Sequence, residues 1–178
     1  MDKKSLRKAV KERIASMTDE EKRSESAAIA KKIESFSFKG KKIFIYNALP
    51  DEADTREIIG SLSKDNAIYL PVVDGDDMLL AKYGDKETEG AYGIYEPEGR
   101  RFSASEIMPD ICITPLRAFD LNLNRLGRGK GYYDRFFCVC DCTKIALAFD
   151  CQLVDEIPTE SNDVRVDTVV TATMTYGK

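Results

Sequence analysis

DICITPLRAFDLNLNRLGRGKGYYDRFFCVCDCTKIALAF, residues 110–149, holds two short apolar runs with a glycine-rich segment between them. The runs at 110–114 (DICIT) and 144–149 (KIALAF) are rich in β-formers, too short for helices, and predict two strands. The segment between them carries the glycine loop and one helix, from about residue 131 to 138. Strand, helix and strand in that order are the unit from which parallel sheets are built.

The flanking sequence repeats the alternation. Leu6, Val10 and Ile14 recur every four residues and predict an N-terminal helix with one apolar stripe. Thr18 and Glu21 have the spacing of a capping box, so a second helix should follow, with Ala28, Ile29, Ile33 and Phe36 inward and Gly40 ending it. Residues 42–46 (KIFIY) read as a strand, and 54–63 as a helix with Asp54 or Thr55 as its cap. Residues 67–73 and 78–83 read as strands about a turn at 74–77, 84–101 as a loop, 103–108 as a short helix and 164–171 as a final strand. The sum predicts an α/β fold: one three-layer domain over residues 1–178, with a mostly parallel or mixed central sheet flanked by helices. A chain of 178 residues suits a single domain that buries roughly 70% of its unfolded surface.

Composition excludes several functions. There is no histidine, so Ser-His-Asp and Cys-His mechanisms lack their base. Catalysis must use carboxylates, Lys, Arg, Tyr, backbone amides or a metal held by oxygen. The net charge of −4 disfavours bulk binding to nucleic acid or to an anionic membrane. No apolar run approaches the ~20 residues that span a bilayer, and MDKKSLRKAVKER at the start is too charged for a signal peptide; the expectation is a cytoplasmic monomer. Of the five cysteines, Cys138, Cys140 and Cys142 alternate, but no second Cys or His cluster completes a zinc set, so all five, with Cys112 and Cys151, read as structural thiols.

Against the acidic background, residues 116–135 hold five basic residues and two acids, which points to a discrete anionic ligand. Within them, RLGRGKGYYD (125–134) alternates Gly127, Gly129 and Gly131 with Arg128 and Lys130. Glycine allows close backbone approach, and successive N–H groups then form an anion-binding concavity. A helix opening after the loop adds its partial positive charge, and Asp134 in its first turn is placed to hold Mg²⁺ beside phosphates. The stretch is neither a Walker A loop nor a dinucleotide fingerprint, and a solvated basic loop is the other reading of it. In parallel sheets ligands bind beyond the carboxyl ends of the strands, where 47–52, 115–131 and 151–163 are predicted to meet.

NRLGRGKGYYDRF (124–136) resembles the signature of the 5-formyltetrahydrofolate cyclo-ligase family. KKSLR (3–7), YNALPDEADTREII (46–59), GAYGIYEP (90–97), AFD (118–120) and ALAFDCQLVDEIPTESND (146–163) are similar to further family segments in the same order. The resemblance implies an enzyme that uses Mg-ATP to convert 5-formyltetrahydrofolate to 5,10-methenyltetrahydrofolate, releasing ADP and phosphate. It implies that Lys3, Lys4 and Arg7 contact ATP phosphates, and that Arg125, Gly127, Arg128, Gly129, Lys130, Gly131, Tyr132 and Tyr133 wrap the nucleotide. Arg128, Lys130 and Tyr132 would take part in catalysis, and 128–132 would also touch the folate, with Asn47 and Glu52. Asp134 and Asp163 would ligate Mg²⁺. Two positions depart from the family: Leu116 and Leu123 stand where it usually has glycine, which is costly wherever φ is positive. A sugar-phosphate or coenzyme A transferring enzyme and a nucleic-acid-binding module are the alternatives that the basic loop leaves open.

Overall fold

Alternation along the strands builds the two sides of the sheet. Ile43, Ile45, Ile111, Ile113, Ile145 and Leu147 are buried in one core, while Phe44 and Cys112, between them in sequence, are buried in another. Side chains of a strand alternate between faces, so these short runs feed two layers at once. The computed structural model describes residues 1–75, 77–84, 87–89, 95–97 and 99–177. Its main sheet has eight strands: β1 (Lys42–Ile45), β2 (Ala67–Asp74), β3 (Asp77–Lys82), β6 (Arg101–Phe102), β7 (Ile111–Pro115), β10 (Thr143–Leu147), β11 (Thr168–Val170) and β12 (Thr175–Gly177). Their order is β12-β11-β10-β7-β1-β2-β3-β6. The five central strands, β11 to β2 in that order, are parallel, and β12, β3 and β6 pair antiparallel at the edges.

Helices α1 (Lys3–Ser16), α2 (Asp19–Ser35) and α3 (Arg56–Leu62) cover the isoleucine face; α4 (Ala104–Ile107) and α5 (Tyr132–Val139) cover the Phe44 face. This is the three-layer α/β domain read from the sequence. The apolar stripe of α1 is buried as expected, and the Thr18–Glu21 capping box forms in both directions. On α2 the inward set differs: Ser26, Ile29, Ala30 and Ile33 are buried, whereas Ala28 and Phe36 are half-buried. Thr55 occupies the N-cap position of α3, but its hydroxyl donates to the Tyr46 carbonyl at 2.9 Å, and Asp54 instead accepts from the Arg56 amide.

Three expectations need correction. The predicted loop at 84–101 contains β4 (Glu87–Glu89) and β5 (Tyr95–Pro97), an antiparallel pair, and its last residue starts β6; residues 90–94 of the family-like segment 90–97 lie outside the described residues. The last parallel strand is only Thr168–Val170, because upstream the Val166 amide is taken by the Leu123 carbonyl at 3.1 Å; β12 then adds an edge strand that the sequence reading lacked. Between β7 and α5 the chain also makes a small hairpin, β8 (Ala118–Phe119) with β9 (Arg125–Leu126).

That hairpin is organised by Asp120. Its buried carboxylate accepts from the amides of Asn122, Asn124 and Ile157, each at 3.0 Å, and from Asn124 Nδ2 at 2.9 Å. Leu123 is carried through the turn with φ +63°, the conformation a glycine would adopt without strain. Leu116 is not among the positive-φ residues, so a side chain there meets no such penalty. Gln152 ties the hairpin to the end of β10. Its amide donates to the carbonyls of Leu116 (2.8 Å) and Arg117 (3.0 Å) and accepts from the Phe149 amide (2.7 Å). Gln152 is fully buried, so Gln152→Leu strands three backbone groups away from water and is expected to lower unfolding free energy by about 1–3 kcal/mol. Urea denaturation with an unchanged slope checks this; a wild-type midpoint contradicts it.

Candidate active site

The carboxyl ends of β1 and β7, the glycine loop and the start of α1 open onto one cleft of about 1160 Å³. Three distant segments meet there, as the strand pattern anticipated: Asn47 and Glu52, then 125–135, then Asn162 and Asp163. Lys3, Lys4 and Arg7 reach it from the first turns of α1, whose N-terminus is capped by Asp2 accepting from the Ser5 amide. Every residue named for the site from the sequence lines this cleft.

The glycine loop is held from below and from both ends. Arg125 lies beneath it with its side chain only 2% exposed; its Nη2 donates to Asp134 Oδ1 at 2.8 Å. A Cβ at Gly127 would come within 3.0 Å of Arg125 Nη1, so this glycine permits the loop to lie directly on the guanidinium. The same guanidinium faces the rings of Tyr133 and Phe137 at 5.6 and 5.8 Å. Arg7 Nε donates to the Gly127 carbonyl at 2.8 Å, which fastens α1 to the loop. At the far end Arg135 Nη1 donates to the Lys130 carbonyl at 2.9 Å and the guanidinium stacks over Tyr132. Gly129 and Gly131 have φ of +107° and +70°, and α5 begins directly after them. The tyrosines divide as neighbours on a helix must. Both line the cleft, but Tyr133 packs its ring against Phe44 and burial pushes its hydroxyl pKa well up, whereas the Tyr132 hydroxyl donates to the Gly75 carbonyl at 2.9 Å.

The charges are arranged as paired sets. Lys3 Nζ meets Asp163 Oδ2 at 2.6 Å and Glu160 at 3.2 Å. Burial works against the charge on Lys3, but its bonds to Asp163 and Glu160 outweigh that and raise its pKa. Burial likewise raises Asp163, yet the Lys3 ammonium and the Glu160 amide bring it below the ordinary carboxylate value. Across the cleft Arg128 Nε donates to Glu52 Oε1 at 2.9 Å and its Nη2 to Asp51, while Arg117 Nη1 donates to the other Asp51 oxygen at 2.9 Å. Lys4 and Lys130 have no side-chain hydrogen bond or ion pair among the described residues. The sequence reading missed Asp51 and the partner role of Arg117, because their link spans 66 positions and has no local signature. It also missed the apolar wall made by Leu49, Pro71, Val73 and Met78, since Pro71, Val73 and Met78 read only as strand residues.

Two carboxylates bear on Mg²⁺. Asp134 and Asp163 line the same cleft, and Asp134 Oδ2 and Asp163 Oδ1 take no part in the bonds described. Among the described residues no group of three or more His, Cys, Asp or Glu side chains is arranged to hold a metal. Mg²⁺ commonly takes one or two carboxylates and completes its shell with phosphate and water, and each of these free oxygens is of the donor type it needs. The five thiols are free, Cys138 exposed at the cleft and Cys112, Cys140 and Cys142 buried.

The profile of the 5-formyltetrahydrofolate cyclo-ligase family matches residues 1–172. The chain belongs to that family. It is thereby an enzyme of the ligase class. A 5-formyltetrahydrofolate cyclo-ligase of Mus musculus is 29% identical over 187 residues, covering 94% of this chain and 92% of that one. One from Haemophilus influenzae is 34% identical over 137 residues, covering 70% and 72%. The solved structure of Aquifex aeolicus 5,10-methenyltetrahydrofolate synthetase superposes with a TM-score of 0.86 at 32% identity, covering 99% of this chain and 93% of that one. No helix among the described residues is long and apolar enough to cross a membrane.

The pairs also set a pH dependence. Asp51 and Asp163 have depressed carboxyl pKa values in the folded chain, so their contribution is complete above the unfolded value, about 4, and is lost as pH falls through the folded values. Thermal midpoints should therefore fall on acidification below about pH 4. Asp163→Asn should lose less of its own neutral-pH midpoint over the same range; an acid loss equal to that of wild type would contradict the assignment.

Proposed function

We propose that this cleft binds Mg-ATP and 5-formyltetrahydrofolate together and closes the folate ring to give 5,10-methenyltetrahydrofolate, ADP and phosphate. The observation that carries the reading is the convergence of the glycine loop, the basic start of α1 and the Asn47–Glu52 segment on one cleft in a member of this family. The formyl oxygen attacks the γ-phosphorus of ATP, and the bond to ADP breaks. The second folate nitrogen then attacks the activated carbon and gives up its proton; the carbon–oxygen bond breaks and phosphate leaves. The attacking formyl oxygen has no proton to lose in the first step, which is compatible with a chain without histidine.

Each group has a physical task. Phosphoryl transfer depends chiefly on positioning and on neutralising charge. Lys4 and Lys130, which face the cleft without partners among the described residues, supply charge to phosphate oxygens, with Lys3, Arg7 and Arg128. Arg125, buried beneath the loop, orients Gly127 and Asp134. Asp134 and Asp163 would hold Mg²⁺, which neutralises phosphate charge when bound. Glu52 and Asn47 face the folate, where a carboxylate accepts from the N–H groups of a reduced pterin. Leu49, Pro71, Val73 and Met78 offer an apolar surface on which a ring system can pack. Tyr132 closes the loop side through its bond to Gly75.

Purified protein given 5-formyltetrahydrofolate and Mg-ATP should produce methenyl absorbance, and excess chelator or omission of ATP should abolish it. Lys130→Ala removes an exposed side chain and should change stability by less than about 0.5 kcal/mol. It should also lower kcat/KM on the order of 10²-fold. No absorbance change with wild-type protein overturns the reading; wild-type kinetics in Lys130→Ala remove the loop from the phosphate site.

A further inference from the structure

Four charged side chains form a line with a buried group at each end and the more open Asp51 and Arg128 between them. Arg117 is at one end and Glu52 at the other, each with 7% of its side chain exposed. The Arg117 backbone is fixed on both sides: its amide donates to the Leu126 carbonyl at 2.6 Å, and its carbonyl accepts from buried Gln152 at 3.0 Å. The Arg117 guanidinium binds one oxygen of Asp51 at 2.9 Å, and the other oxygen of Asp51 accepts from Arg128. Arg128 in turn donates through Nε to Glu52 at 2.9 Å, and the second Glu52 oxygen accepts from the Leu49 amide at 3.0 Å.

The order of burial matters. Arg117 is the most buried of the two cations and Arg128 the more exposed, with 39% of its side chain open. Arg128 follows a glycine and precedes a positive-φ glycine, so its own backbone does little to restrict where the side chain points. Among the described residues Asp51 is the group that connects it to a fixed cation, while Glu52 holds its Nε. Arg117 also sets the charge. Asp51, Glu52 and Arg128 alone would sum to one net negative charge beside the phosphate site; with Arg117 the four sum to zero.

We propose that Asp51 is a positioning residue for the ring-closing reaction: anchored by buried Arg117, it fixes the Arg128 guanidinium beside Glu52, where phosphate and the formyl group are to meet. The inference rests on the cyclo-ligase reading of the same cleft. Asp51 acts through Arg128 and need not touch either substrate. Misplacement of a reacting contact by about 1 Å can cost on the order of 10²-fold in rate.

A double-mutant cycle tests it, with methenyl formation as the readout. Asp51→Asn keeps the shape and removes the charge, but leaves a buried cation unpaired. The paired variant Arg117→Met with Asp51→Asn removes both charges, a replacement that commonly preserves stability. Whichever unfolds with wild-type cooperativity enters the cycle with Arg128→Ala. Alone, it should lower kcat by about 10- to 100-fold with little change in the KM for ATP. In the Arg128→Ala background it should change kcat by less than about twofold, because the group it positions is gone. Asp51→Glu, which restores the charge, should recover part of the rate. An equal fold loss in both backgrounds, or no loss in either, overturns the proposal while leaving the cyclo-ligase reading intact. Wild-type protein that forms no methenyl product overturns that reading, and the proposal with it.

Discussion

The loop that gives this cleft its character depends on one buried cation, Arg125. Its guanidinium has almost no contact with water, so it needs a counter-charge at close range, and Asp134 provides it at 2.8 Å. The pair does more than cancel charge. Gly127 rests on Arg125, the rings of Tyr133 and Phe137 face it, and Asp134 lies in the first turn of α5. One ion pair thus sets where the loop lies, where the helix begins and which way its first carboxylate points. Arg125 Nε is the one buried side-chain polar atom without a hydrogen-bond partner among the described residues, so the site is not optimised for stability alone. Arg125 is a floor for the cleft, and on the proposed reading phosphate would rest on the loop and the cations above it.

Two of those cations are held by acids. Lys3 sits between Asp163 and Glu160, and Arg128 between Asp51 and Glu52. Each pair fixes a flexible side chain at the rim of a cleft whose neutral walls are Leu49, Pro71, Val73 and Met78. Among the described residues Lys4, Arg7 and Lys130 have no such acid partner; Arg7 is fastened to the Gly127 carbonyl, while Lys4 on α1 and Lys130 on the loop make no side-chain bond. On the proposed reading an incoming polyphosphate would meet Lys4 and Lys130 first and would then replace the acid partners of Lys3 and Arg128 with phosphate oxygens. Long-range attraction and short-range ordering would thereby fall to different residues.

Much of this was legible in the chain. The period of two in KIFI and ICIT and the period of four in α1 specify which faces are buried, and those signals are strong because each element is covered on the side its pattern indicates. The glycine–cation alternation of 125–134 was equally readable, since its chemistry is local. What escaped was long-range or set by a single turn. Strand β12 and the β8–β9 hairpin are only two or three residues per strand, too short to carry a period. Leu123 looked like a break with the family's usual glycine, yet the four bonds to Asp120 carry its backbone through the turn in the glycine conformation. Asp51 and Arg117 find each other only after the sheet has brought 47–52 beside 115–131.

Amide hydrogen exchange, measured with and without Mg-ATP, reads the very backbone groups that would hold phosphate in a site built from the glycine loop and the start of α1. Added Mg-ATP should slow exchange at the amides of 127–132 and in the first turn of α1, around Lys3 and Lys4, and leave the opposite end of the sheet, around Lys64 and Lys82, unchanged. Protection confined to the far end, or no protection at the glycine loop under saturating Mg-ATP, would contradict a phosphate site built from that loop and the start of α1.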